Sequence, residues 1–163
     1  MIITQEKRKT LWHLSLHLLA IAVKKLYPQA KLGNGQVTDE GFFYDFDNLT
    51  IKTSDLTLIQ DEMKKLIDEG INCENILLSV QQALDFFCNE PYKLQILERI
   101  EKTEKISLCS IGDFYDICSQ NHSDKCSNLI AVKLLSIGGA YWMGNPKNQM
   151  PTRISGIAFE NQE

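Results

Sequence analysis

The sequence predicts an α+β fold: an antiparallel sheet packed against a long N-terminal helix, with a small helical section in the middle of the chain. Three observations carry this. Residues 7–27 place apolar side chains around most of a helical circumference. Residues 54–101 contain short helical patterns with recognisable start and stop signals. The C-terminal third is a run of β-branched, aromatic and aliphatic segments divided by polar turns.

In the first helix Leu11, Leu14, Leu18, Ile21 and Ala22 form one stripe, and Leu19, Val23 and Leu26 widen it. A helix this apolar is expected to be buried on several sides, and Pro28 stops it. Two short strands follow within 32–47 around Thr38-Asp39-Glu40-Gly41, the second strongly strand-like through Phe42, Phe43, Tyr44 and Phe46. Ser54 is placed to cap a helix over 55–69, with Leu58, Ile59, Met63, Leu66 and Ile67 as its apolar face and Gly70 just past its end. A strand over 76–80 comes next. Ser79 and Gln82 have capping-box spacing for a short helix reaching Phe87. Pro91 suits the first position of another helix, to about residue 100, which puts Lys93 in its first turn. Further strands are expected over 106–109, 114–118, 129–137, 140–143 and 153–159, with a turn at Asn145-Pro146-Lys147-Asn148.

A chain of 163 residues, 44% hydrophobic and 23% charged, suits one domain with a real core. The net charge of −4 argues against general polyanion binding and leaves nucleic-acid contact to a local patch such as Lys7, Arg8, Lys9, Lys24 and Lys25. The apolar run at 11–26 is interrupted by His13, His17, Lys24 and Lys25 and is too short to span a bilayer, so no membrane role is expected. Five cysteines at irregular spacing, without a CxxC pair or a secretion signal, point to a cytoplasmic protein with reduced thiols serving mainly in packing.

The chemistry-bearing residues are few. His13 and His17 are four apart and share a helix face. The third histidine, His122, follows Cys118 by four. Together they offer three imidazoles and a thiolate, a set that can bind zinc. Each half also occurs in proteins as ordinary core or surface residues. Asp116 lies two before Cys118 and so shares its strand face, able to orient an imidazole or to be a plain half-exposed carboxylate. Lys93, read alone, is a solvent-facing lysine, and Arg153 and Lys147 are either phosphate contacts or surface charge. No glycine-rich phosphate loop and no Gly-x-Ser-x-Gly elbow is present.

Taken in order, His13-x3-His17-Leu18-Leu19, Tyr27-Pro28, Gly41-Phe42-Phe43-Tyr44-Asp45, Glu90-x-Tyr92-Lys93, Asp116-x-Cys118-x3-His122, Gly139-Ala140-Tyr141-Trp142-x-Gly144, Met150 and Arg153-Ile154-x-Gly156-x-Ala158 resemble the second N-terminal, editing domain of bacterial threonyl-tRNA synthetases, a domain shared with the alanyl branch. The resemblance implies one editing-type domain over 7–160, with a helical subregion at about 54–101, either free-standing or excised. It implies hydrolysis of a mischarged aminoacyl-tRNA, seryl-tRNA(Thr) in the threonyl branch. The alternative is a non-catalytic module that holds a tRNA acceptor end or a synthetase. The implied catalytic residues are His13, His17, Lys93 and Cys118, with Asp116, His122 and Tyr141 against the substrate. Partners would be a tRNA acceptor end carrying serine or alanine, and a threonyl-tRNA synthetase. No cofactor is required in the favoured reading; in the zinc-dependent alternative the ligands are His13, His17, Cys118 and His122. Ser119-Gln120-Asn121 departs from the usual Arg-Gly-Pro or Gly-Gly-Thr of the family.

Overall fold

The computed structural model describes residues 5–70, 72–101, 103–117, 129–139 and 151–160. Their order is α1 (Gln5–Leu26), β1 (Lys31–Val37), β2 (Phe42–Asp47), α2 (Asp55–Asp68), β3 (Cys73–Ser79), α3 (Val80–Phe86), α4 (Pro91–Glu98), β4 (Lys105–Ile111), β5 (Phe114–Ile117), β6 (Leu129–Gly139) and β7 (Thr152–Glu160). The α+β class is as expected, but the strands divide between two antiparallel sheets rather than joining one. The first has the order β1-β2-β7-β6 and the second β3-β4-β5. The expected strand at 140–143 and turn at 145–148 lie outside the described residues.

α1 is the buried centre. Trp12, Leu14, Leu16, Leu18, Leu19, Ala20, Ala22 and Val23 all enter the main core, and the helix packs on β1, β2, β7 and α2. Each such leucine contributes roughly 1.5–3 kcal/mol by leaving water, so this helix carries much of the fold's stability. Trp12 pins its first half to the sheet, donating from Nε1 to the Ala158 carbonyl at 3.1 Å.

The signals around α2, α3 and α4 have mixed outcomes. Ser79 and Gln82 form the reciprocal capping box, Pro91 opens α4, and Gly70 takes φ +74° after α2. Ser54 stands at the start of α2 without a side-chain cap, its own backbone already helical at φ −63° and ψ −24°; the Leu56 N–H bonds the Thr53 carbonyl at 3.2 Å instead. Leu58 is not on the buried face. It is 57% exposed, while Leu56, Ile59 and Met63 are buried.

The second sheet has two covered faces. Leu108 and Ile106 join Val80, Ala83, Phe87 and Leu97 beneath α3 and α4. On the other face Cys73, Cys109 and Ile111 join the main core. Cys109 pairs with Asp116 across β4 and β5, so directly opposed side chains place the Asp116 carboxylate on that same face. The cysteines also depart from the reduced-thiol expectation. The β3–β4 register brings Cys73 and Cys109 to a Cα separation of 6.4 Å and they form a disulfide, while Cys88 is free and exposed.

Candidate active site

Four elements enclose a cavity of about 230 Å³ lined by His13, Leu16, His17, Asn34, Gly35, Gln36, Lys93, Ile96, Asp116 and Ile117. α1 supplies the two histidines, because positions i and i+4 present both rings on one side. Their centroids lie 4.9 Å apart, edge to face. β1 supplies one wall as the edge strand of its sheet. Its register shifts between Leu32 and Gly35, a bulge that re-aims the strand beside the cavity. Gly35 is needed there. A Cβ on it would lie 2.6 Å from the Tyr44 ring and 2.8 Å from Leu16. We therefore expect Gly35→Ala to destabilise the fold by about 1–3 kcal/mol through overpacking, read by urea denaturation; a neutral result would mean that Tyr44 can yield.

Asp116 is the hub. Its Oδ2 accepts from His17 Nδ1 at 3.0 Å and from the Tyr44 hydroxyl at 2.7 Å. Its Oδ1 meets the Lys93 ammonium at 2.6 Å and accepts from its neighbour's backbone, Ile117 N, at 2.8 Å. Burial alone would push this carboxyl up, but the Lys93 ammonium and the His17 contact outweigh it and hold Asp116 well below the usual carboxylate range. Burial first, and then the Asp116 charge, push the Tyr44 phenol well above its ordinary value, so Tyr44 remains a hydrogen-bond donor. The Lys93 ammonium also lies 5.1 Å from the Tyr44 ring centroid.

An ionised carboxylate can only accept, so the proton between Asp116 and His17 belongs to Nδ1. In the neutral ring that leaves Nε2 as the basic nitrogen. His17 is buried, whereas His13 is only half-buried. The two histidines thus differ: one is fixed by a carboxylate inside the core, the other stands nearer solvent.

Lys93 corrects the reading of a solvent-facing lysine. Its side chain is 3% exposed. The sequence offered no local sign of this, since the partner that makes burial tolerable is on a strand distant in the chain. Asp116 likewise is buried rather than half-exposed. Tyr44 was not singled out as a site residue from the sequence. The available signal was the alternation of Phe42, Tyr44 and Phe46, which turns all three toward α1 and gives the middle one a hydroxyl. Arg153 makes a two-pronged pair with Asp45 at 2.8 and 3.0 Å and stacks on Phe43 at 3.7 Å. In the basic patch Arg8 and Lys9 are exposed, but Lys24 pairs with Glu90 and Lys25 with Glu62. Cys118, His122, Tyr141 and Lys147 lie outside the described residues. Among the described residues no group of three or more His, Cys, Asp and Glu is arranged to hold a metal, and no helix is long and apolar enough to cross a membrane.

No protein-family model matches the chain. Comparison with curated proteins does find relatives. The chain is 42% identical over 158 residues to the threonine–tRNA ligase of Caldanaerobacter subterraneus, covering 95% of the chain. It is 43% identical over 158 residues to that of Clostridium tetani, again over 95% of the chain, and 40% identical to that of Staphylococcus carnosus over 96%. The chain is a relative of one segment of the threonine–tRNA ligases. It spans about a quarter of the length of these curated relatives, 24% of the first and 25% of the second. The resemblance drawn from the ordered motifs is borne out.

Proposed function

We propose that this chain is an aminoacyl-tRNA deacylase that removes serine from seryl-tRNA(Thr). The observation that carries the reading is the wiring of His17, Lys93 and Tyr44 to one buried carboxylate on the wall of a cavity that His13 also lines. The similarity to threonine–tRNA ligases supports tRNA as the carrier of the substrate; the small amino acid at its acceptor end is part of the proposal.

The residues suit ester hydrolysis. His13, the more accessible ring, takes the proton of a water whose oxygen attacks the ester carbonyl. Negative charge then develops on the carbonyl oxygen. Lys93 spends one of its three N–H groups on Asp116 and can offer another to that oxygen, since its ammonium is held on the cavity wall. Collapse breaks the acyl–oxygen bond, the ribose oxygen takes the proton back from His13, and free serine and tRNA leave. His17, oriented by Asp116, fixes the ring arrangement beside His13. Selection against threonine would follow a size sieve, because one methyl group discriminates only about 10–200-fold at a single binding step.

Zinc, in the other reading, would be held by His13 and His17 with Cys118 and His122. A carboxylate behind an imidazole, as Asp116 stands behind His17, is a usual support for a metal ligand. Yet the same carboxylate holds the Lys93 ammonium, so a positive charge already stands one carboxylate away from His17. We therefore carry the reading without metal, with Lys93 supplying the charge; metal analysis of protein purified without chelators checks it.

The decisive experiment is a deacylation panel with seryl-, alanyl- and threonyl-tRNA. Seryl-tRNA(Thr) should be hydrolysed and threonyl-tRNA spared. His13→Ala should lower the rate by about 10²–10⁴-fold, the usual worth of a general base, with an unchanged melting midpoint. Failure to hydrolyse seryl-tRNA(Thr) overturns the proposal, and tRNA binding without hydrolysis would favour a non-catalytic module.

A further inference from the structure

Lys93 reaches Asp116 from α4, a helix of only eight residues. A helix this short does not hold itself together or choose its own direction. Its bearings come from Glu90, the residue before Pro91. Glu90 occupies the N-cap position, but its side chain makes no cap bond. The carboxylate turns away from the helix instead. Oε1 accepts from the Lys24 ammonium at 2.9 Å, and Oε2 accepts from the Leu32 backbone N–H at 2.9 Å. Lys24 is itself fixed, donating also to the Ala30 carbonyl at 2.9 Å.

These partners belong to the last turn of α1 and to the start of β1. The same two elements carry His13, His17 and the bulged cavity wall. Two further contacts run the same way: Lys31 donates to the Asn89 carbonyl at 3.1 Å, and the Tyr92 hydroxyl donates to Asp47 on β2 at 2.6 Å. Glu90 is buried, and a buried carboxylate is tolerated only when its oxygens have such donors. The Glu90 carbonyl meanwhile accepts the first α4 bond, from Leu94 N at 3.1 Å. One residue thus sets both the start of the helix and its seat on the scaffold.

We infer that Glu90 is a positioning residue for Lys93: by seating α4 on Lys24 and Leu32 it holds the Lys93 ammonium on the cavity wall against Asp116. The structural part stands without the proposed deacylation; only its kinetic consequence rests on that reading.

Glu90→Gln tests it. The amide keeps the shape but replaces one acceptor oxygen by a donor, so either Lys24 or Leu32 N–H loses its partner. The readout is competitive labelling of the folded chain with an amine-reactive ester, resolved lysine by lysine by mass spectrometry. Lys93 should label about tenfold faster or more in the variant, the factor expected when one charge-assisted hydrogen bond is lost. Lys133, exposed on β6, should label as before. In deacylation kcat should fall with KM unchanged. If Lys93 labels at the wild-type rate, the inference is overturned, whatever happens to hydrolysis. If every lysine speeds up together with a lowered melting midpoint, Glu90 serves the whole fold and the inference is overturned as well. Should Glu90→Gln not fold, Lys24→Met takes its place, removing one partner and leaving Leu32 N–H; a selective rise at Lys93 supports the inference and an unchanged Lys93 refutes it. If the wild type hydrolyses no aminoacyl-tRNA, the proposed function fails while the labelling still decides this question.

Discussion

Lys93→Met is expected to destroy hydrolysis and to weaken the fold in a way that depends on pH. The variant keeps the aliphatic stem but leaves the Asp116 carboxylate buried without its strongest counter-charge. Removing one partner of a buried ion pair costs about 3–5 kcal/mol. In the wild type the folded-state pKa of Asp116 lies below its unfolded value. Its stabilising contribution is therefore fully present above the unfolded value of about 3.9 and is lost as pH falls through the folded one. Without Lys93 the burial that pushes the carboxyl up is less opposed. Where the folded-state pKa comes to exceed the unfolded one, the folded variant binds a proton more readily than the unfolded chain. Its deficit is then largest at neutral pH and shrinks on acidification toward pH about 4. Urea denaturation of both proteins at neutral and mildly acidic pH measures this directly. Two stability curves that run parallel would show that loss of Lys93 does not lift the Asp116 carboxyl above its unfolded pKa. For activity, loss of a preorganised positive group is expected to lower kcat by about 10²–10³-fold, and a rate within a few-fold of wild type would remove Lys93 from the reaction.

The reach of the sequence follows from the range of the interactions involved. Local rules worked where local chemistry decides. The apolar circumference of α1, the Ser79–Gln82 box, Pro91 and Gly70 are all judged within one or two turns of chain. Ser54 and Leu58 failed because a neighbour was better placed: the Thr53 carbonyl took the Leu56 N–H, and Leu56 took the core position. The division into two sheets was not legible, because β7 inserts between β2 and β6 through long-range register that no local pattern encodes. The histidine pair was legible from spacing alone. The rest of the site depended on Asp116, whose four contacts come from α1, β2, α4 and its own strand. Lys93 and Tyr44 look ordinary until that carboxylate is in place. Motif order, rather than residue chemistry, drew attention to Lys93.

Asp116→Asn should separate folding from proton handling. Asparagine fits the same space but carries no charge and only one acceptor oxygen. If that oxygen keeps Lys93 and the Ile117 N–H, the amide NH₂ faces Tyr44 and His17, both donors in the wild type. Tyr44 can rotate its hydroxyl and accept. His17 can comply only by moving its proton from Nδ1 to Nε2, since a neutral ring has one donor and one acceptor. The tautomer set by the carboxylate is thereby reversed, and the basic nitrogen turns from Nε2 toward the asparagine. Replacing the carboxylate that orients the base itself lowers the rate by about 10⁴-fold in the serine-protease triad; here Asp116 orients His17, which steadies the base His13, so a loss no larger than that of His13→Ala, about 10²–10⁴-fold, is expected. Stability should also drop, by about 3–5 kcal/mol, because Lys93 is left as a buried cation without its counter-charge. Nitrogen NMR of the imidazoles reads the tautomer without reference to activity. A His17 that keeps its proton on Nδ1 in the variant would contradict the hydrogen-bond assignment. A reversed tautomer with undiminished hydrolysis would mean that the pair acts only in folding and that His13 works without it.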